Sequence, residues 1–275
     1  ARLLGAPRPD FGPWPDHPVD EVLAGGVANS GQVVRIGATV HRPLAPRSEA
    51  THALLRHLCA ERFAAAPRIL DVRGRYEVLS WIPGRAARTP LPDWAQSEES
   101  LHSVGVLLRR FHDTVETLDP DAFLWPDDQV PGPYRGRLVS HNDIHPGNLI
   151  FDGDRAVGLI DFDLAGPGSR IWDLAAAARC WCPLLADDDV PAALAGRRFE
   201  RFRLLLDAYG ATGTERSAVA QAVLANHEWT FQIVLARVLD GHPGFQQYWN
   251  AVGPRAVRAH RWLRASTAEL VARVG

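Results

Sequence analysis

The chain changes its periodicity at Pro83-Gly84, and that change limits the architectures open to it. From Glu21 to about Ile82 the text alternates as strands do: Val33 to Ile36, a Gly37-Ala38 turn, Thr39 to Arg42, and later Tyr76 to Trp81. One amphipathic helix interrupts these strands, signalled by Ser48 as N-cap, Glu49 in the first turn, and Leu54, Leu55 and Leu58 on one face. Beyond the break the pattern is helical. Glu98 and Glu99 open a helix from Ser97 to about Thr114, with Leu101, Val104, Leu108, Phe111 and Val115 at helical spacing. Phe199, Phe202, Leu205, Leu206 and Tyr209 mark another that Gly210 ends, and periodic runs follow near 216–239 and 254–273. The expected fold class is therefore α+β in two lobes: a small β-rich N-lobe over 1–82 and a larger, mostly helical C-lobe over 83–275. Pro83-Gly84 and Thr89-Pro90-Leu91-Pro92 form the crossing between them.

Composition removes several classes of function. With 275 residues and 46% apolar content the chain buries a real core. A net charge of −2 provides no basic stripe, so no nucleic-acid partner is expected. The cysteines Cys59, Cys180 and Cys182 lack the four-ligand spacing of a zinc site and read as thiols in a reducing compartment. No stretch approaches the roughly 18 apolar residues of a membrane span, and no basic segment leads into an apolar run at the start. A cytoplasmic location with no membrane partner follows as the expectation.

The segment from Arg137 to Asp163 departs from the helical pattern. It reads as a short strand, a polar loop, and a hairpin whose arms Leu149-Ile150-Phe151 and Val157 to Ile160 flank Asp152-Gly153. The loop is His141-Asn142-Asp143-Ile144-His145-Pro146-Gly147-Asn148, and the hairpin leads into Asp161-Phe162-Asp163. Phosphoryl transfer to a hydroxyl needs a carboxylate to orient and accept the hydroxyl proton, which Asp143 can supply. It needs an amide oxygen facing a metal, available from Asn148, and a second carboxylate brought in from another chain segment, available from Asp161.

These residues resemble the paired catalytic motifs of the aminoglycoside and choline phosphotransferase families, which are related to protein kinases. Leu107-Leu108-Arg109-Arg110-Phe111-His112 and Trp172-Asp173-Leu174-Ala175 extend the likeness over most of the chain. The resemblance implies a two-lobed protein-kinase-like fold, with ATP or GTP as phosphoryl donor and Mg2+ as cofactor. It implies Asp143 as the hydroxyl-orienting group, Asn148 and Asp161 as metal ligands, Asp163 close to the metal, and His141 and Asp173 as supports of the loop. His145 faces either substrate or solvent. The loop Gly25-Gly26-Val27-Ala28-Asn29-Ser30-Gly31, Ser30 included, could cover nucleotide phosphates, and Ser80 and Ile82 lie where such kinases bind the purine through main-chain groups. One position departs from the pattern: Arg42 stands where a lysine would hold the nucleotide phosphates, Glu49 lies early for its helical partner, and Arg35 is the next candidate cation.

The acceptor would be a hydroxylated small molecule. An antibiotic of aminoglycoside, macrolide or nucleoside type is the leading expectation, with resistance or self-protection as its setting. Asp187-Asp188-Asp189 and Glu228-Trp229 fall in the lobe that would receive it, although three aspartates before Val190-Pro191 equally suit a solvated turn. The sequence names no acceptor-binding residue. A metabolite kinase acting on choline, a ketoamine or the like, a nucleotide-binding pseudokinase, and a metal-dependent phosphohydrolase remain as alternatives.

Overall fold

The computed structural model describes residues 20–23, 27, 31–87, 91–126 and 130–274. Five antiparallel strands open the chain: β1 (Glu21–Leu23), β2 (Val33–Ile36), β3 (Thr39–Pro43), β4 (Ile69–Arg73) and β5 (Tyr76–Ser80), in the order β1-β2-β3-β5-β4. Helix α1 (Ser48–Ala60) lies between β3 and β4 and buries Leu54, Leu55 and Leu58. Ser48 is not its N-cap. Arg47 occupies that position in the left-handed region, and its guanidinium, which only donates, makes no side-chain cap. Strand β4 has no counterpart in the sequence expectation, because Ile-Leu-Asp-Val-Arg lacks clean alternation.

The chain then passes through β6 (Arg85–Ala86), which pairs with β8 (Leu149–Asp152), itself paired with β9 (Arg155–Leu159). Asp152 pairs with Arg155, so the tight turn is Gly153-Asp154, one residue later than the alternation suggested. A register shift between Ile150 and Phe151 absorbs the difference. The remainder is helical: α2 (Glu98–Val115), α3 (Arg170–Trp181), α4 (Arg198–Tyr209), α5 (Gly213–Leu239) and α6 (Pro243–Val274). Helix α6 begins well before the expected 254 and carries Pro254 within it, losing one backbone donor while packing along α5. The α2 N-terminus is capped by the Ser97 hydroxyl, and Gly210 closes α4 at φ 80°.

Two short strands, β7 (Leu138–Ser140) and β10 (Gly166–Gly168), pair antiparallel and frame the polar loop between them and the hairpin. A Cβ on Gly168 would sit 1.8 Å from the Ser140 hydroxyl oxygen, so any side chain there must displace that hydroxyl. The core runs from α1 through α2 to α3, α4 and α5, and the loop rests on it through Phe162, which packs 4.6 Å from the His141 ring and 6.0 Å from Phe111.

Candidate active site

The loop after β7 is fixed from below by α3. Asp173, fully buried in the first turn of α3, accepts hydrogen bonds from the His141 N–H and the Asn142 N–H, both at 2.7 Å, and is paired with His112 of α2 at 3.0 Å. These bonds hold Asn142 at φ 67°, a conformation asparagine tolerates better than most residues. Its side chain then ties the Ser140 hydroxyl and the Leu164 carbonyl. The His141 ring is sealed in: Nε2 meets the Ile160 carbonyl at 3.0 Å and Nδ1 accepts the Asp143 N–H at 3.3 Å. That second bond requires a bare Nδ1, so the proton sits on Nε2. Burial holds the ring's pKa below its ordinary value, which favours this neutral form.

Above this base the side chains with chemistry converge. Asn148 lies in a turn of 3₁₀ helix and donates its amide to the Asp143 carboxylate at 2.9 Å and to the Asp143 carbonyl at 3.1 Å. The amide nitrogen is thereby spent on Asp143, and the Asn148 carbonyl oxygen is the end left to face outward. His145 is held by the Gly147 N–H and lies 3.6 Å from Asp143, with 42% of its side chain exposed. The Ile160 N–H bonds the Asn148 backbone carbonyl and so ties the end of β9 to this turn, and Asp161 follows at φ 64°, with Asp163 two residues on.

Arg42 joins the two lobes here. Its guanidinium bonds Asp161 at 3.1 Å through Nη1, Asp163 at 2.6 Å through Nη2, and Glu77 on the neighbouring strand through Nε. Burial alone would lower its pKa, but Asp163, Asp161 and Glu77 together hold it raised. Burial raises the Asp163 carboxyl, Arg42 opposes that shift, and the neighbouring Asp161 charge adds to it. Glu77 is 1% exposed and its second oxygen is bonded by His52 from α1. The acid beside Arg42 is thus a strand residue reached by a helical histidine, whereas Glu49 is exposed. Sequence reasoning missed Glu77 and His52, although Arg42 and Glu77 are direct cross-strand partners of β3 and β5 and opposite charges in that register were a readable sign.

The profile of APH, the phosphotransferase enzyme family, matches residues 23–137 and 115–205. The chain is 36% identical over 258 residues to the trifolitoxin immunity protein of Rhizobium leguminosarum bv. trifolii, covering 89% of this chain and 95% of that one. This chain belongs to the APH phosphotransferase family. In structure, the phosphotransferase is similar to a choline/ethanolamine kinase family protein from Mesorhizobium loti, with TM-score 0.64 and 17% identity over 94% and 92% of the two chains. It is also similar to the streptomycin-ATP-APH(2")-IIa ternary complex, with TM-score 0.50 and 16% identity over 83% and 91%. These likenesses show the α+β kinase-like fold.

Other expected positions of the phosphotransferase fall as follows. Ser30 and most of the glycine loop lie outside the described residues. The Ser80 hydroxyl and N–H and the Trp81 N–H are spent within the sheet, on Arg68 and Ala38, while the Ile82 N–H meets no partner among the described residues. Arg35 is bonded to the Gly37 carbonyl and stacks on Trp81, away from the three carboxylates. The acidic run is neutralised in part: Asp187 pairs with Arg198 and Asp189 with Arg258. Glu228 pairs with His260. Among the described residues no helix is long and apolar enough to cross a membrane.

Asp161 and Asp163 offer only oxygens, the donors a hard divalent cation takes, and both are bonded to the Arg42 guanidinium. Among the described residues no group of three or more His, Cys, Asp or Glu side chains is arranged to hold a metal ion.

Proposed function

We propose that this phosphotransferase moves the γ-phosphoryl group of ATP or GTP to a hydroxyl of an antibiotic-class small molecule, in a setting of self-protection or resistance. The observations that carry this reading are the Asn148 amide bonded to the Asp143 carboxylate and the Arg42 guanidinium shared by Asp161 and Asp163. In it, Asp143 orients the acceptor hydroxyl and takes its proton, while Asn148 and Asp161 hold Mg2+, with Asp163 beside them. The ion would supply charge neutralisation to the phosphates. Arg42 serves the nucleotide phosphates, and the Ile82 N–H, just past Ser80 at the end of β5, serves the purine. His141 and Asp173 keep the loop in register. We place the lobe crossing at 83, where β5 has ended and the chain turns toward β6.

Support for the setting comes from the immunity protein, which resembles this chain over nearly its whole length. Support for the donor comes from the ATP complex of a structural relative. The test is a screen of hydroxylated antibiotics and metabolites with Mg2+ and either nucleotide, reading phosphorylated product by mass. A product 80 Da heavier (the mass of an added HPO3), formed by the wild type and lost in Asp143→Asn, is the expected result. Nucleotide consumption with no new phosphoester across the screen would favour hydrolysis, and nucleotide binding with neither outcome would favour a pseudokinase.

A further inference from the structure

The two carboxylates that follow β9 already hold a cation of the chain itself. Arg42 places Nη1 3.1 Å from Asp161 Oδ1 and Nη2 2.6 Å from Asp163 Oδ1, so one planar fork spans both side chains. The Arg42 side chain is 9% exposed, whereas those of Asp161 and Asp163 are 32% and 26% exposed. Solvent and its ions therefore reach the carboxylates while the guanidinium lies behind them.

The parts of this cluster differ in how firmly they are held. Thr51 of α1 donates its hydroxyl to the Phe162 carbonyl at 3.4 Å, and the Phe162 ring is buried against His141. The backbone between the two aspartates is thus pinned from α1 and from the core. Beside Thr51, His52 donates Nε2–H to one oxygen of Glu77, and the other oxygen takes Arg42 Nε. Glu77 is fully buried with both oxygens bonded, so it has none left for a metal ion and acts as a fixed anchor for Nε. Only the two terminal nitrogens of Arg42 touch the aspartates, and a swing of the fork moves them further than it moves Nε.

A divalent ion on Asp161 and Asp163 would share its ligands with this fork, and two cations on one pair of carboxylates repel at contact range. Phosphate oxygens suit a guanidinium fork as well as carboxylates do. We propose that the Arg42 fork holds Asp161 and Asp163 in the metal's place until a nucleoside triphosphate arrives, and that its transfer to the phosphates frees both aspartates for Mg2+, so that metal and nucleotide bind as one unit. This rests on Asp161 as a metal ligand. It also gives the arginine a use that a lysine could not serve, because one ammonium cannot span both carboxylates and keep a separate nitrogen on Glu77.

The test is a Mn2+ titration of the full chain without nucleotide, read from the loss of the free-ion EPR signal, with Mn2+ standing in for Mg2+. Arg42→Met and Arg42→Gln should each bind the ion about tenfold or more tightly than wild type, the scale of one hydrogen bond to a charged group. Arg42→Lys, which keeps the charge but not the fork, should fall between them and wild type. A second titration, with a non-hydrolysable ATP analogue, reads the coupling: the factor by which Mn2+ tightens nucleotide binding should be about tenfold smaller in Arg42→Met than in wild type. Equal Mn2+ affinity in wild type and both neutral variants, an Arg42→Lys protein identical to wild type, or an unchanged coupling factor would overturn the proposal. Asp161→Asn in the Arg42→Met background separates the two readings. If it weakens Mn2+ binding while Arg42→Met alone tightened nothing, the competition falls and the ligand stays; if it leaves Mn2+ binding unchanged, Asp161 is no ligand and the proposal falls with it.

Discussion

Asp143 gives one carboxylate oxygen to the Asn148 amide, and the two backbone segments carrying them are fixed independently by His141 and by the 3₁₀ turn. The carboxylate is therefore preorganised before any acceptor arrives. Asp143→Asn should lower kcat by about 10²–10⁴-fold, the general range for a lost acid or base, with nucleotide Kd nearly unchanged. Single-turnover kinetics beside a nucleotide titration decide this, and a variant keeping most of its rate would sink the assignment. Asp161 needs a subtler substitution. Its φ of 64° makes Asp161→Ala a change of backbone strain as well as of charge, whereas asparagine accepts the left-handed region. Asp161→Asn should raise the Mg2+ concentration needed for half-maximal activity while the melting temperature stays close to wild type. An unchanged magnesium profile would take Asp161 out of the metal site.

At the scale of the element, helix α3 is what turns a polar loop into a rigid one. Ser169 caps it, and Asp173, fully buried in its first turn, accepts from two backbone N–H groups and a histidine. Asp173→Asn must set an amide N–H₂ against one of those donors, so it should cost about 1–3 kcal/mol and lower kcat with little effect on nucleotide affinity. Urea denaturation measures the first, and an unaltered midpoint would mean that the loop does not depend on α3. Much at this scale was legible in the sequence. Helices α2 and α4 announce themselves through Ser97, Gly210 and their apolar stripes, and β2 and β3 through two short runs rich in β-branched residues on either side of a Gly37-Ala38 turn. The loop residues could be found because a short polar run between two strands has few other uses. What stayed hidden was what depends on contacts between distant segments. Glu77 looks like any strand glutamate until Arg42 is placed opposite it, and Arg179 looks like a solvated helix end until α5 brings Asn226 beneath it. The start of α6 was missed for the opposite reason, since packing on α5 carries the helix through a proline that local propensity would treat as a stop.

Taken as a whole, the molecule stores several histidines in neutral form. Burial lowers the pKa of His112, of His141, and of His227, the last to about 4. The unfolded chain, with an ordinary value near 6.5, binds protons that the fold does not. Stability is therefore full above about pH 6.5 and falls as the pH drops toward 4, by up to about 1.4 kcal/mol per pH unit for each histidine that remains neutral in the fold. Urea midpoints measured from pH 7.5 to 5 should decline, and a flat profile would contradict it. The link through Arg42 has a consequence for how the chain folds. Its bonds to Asp161 and Asp163 close separations of 119 and 121 residues, so the entropy of that closure is met late, after strands and helices have formed from nearer partners. A contact made after the transition state governs escape from the native state and not entry into it. Arg42→Ala should accordingly steepen nothing and slow nothing on the refolding arm of a chevron plot, yet lift the unfolding arm, making this one side chain a determinant of how long the native phosphotransferase persists.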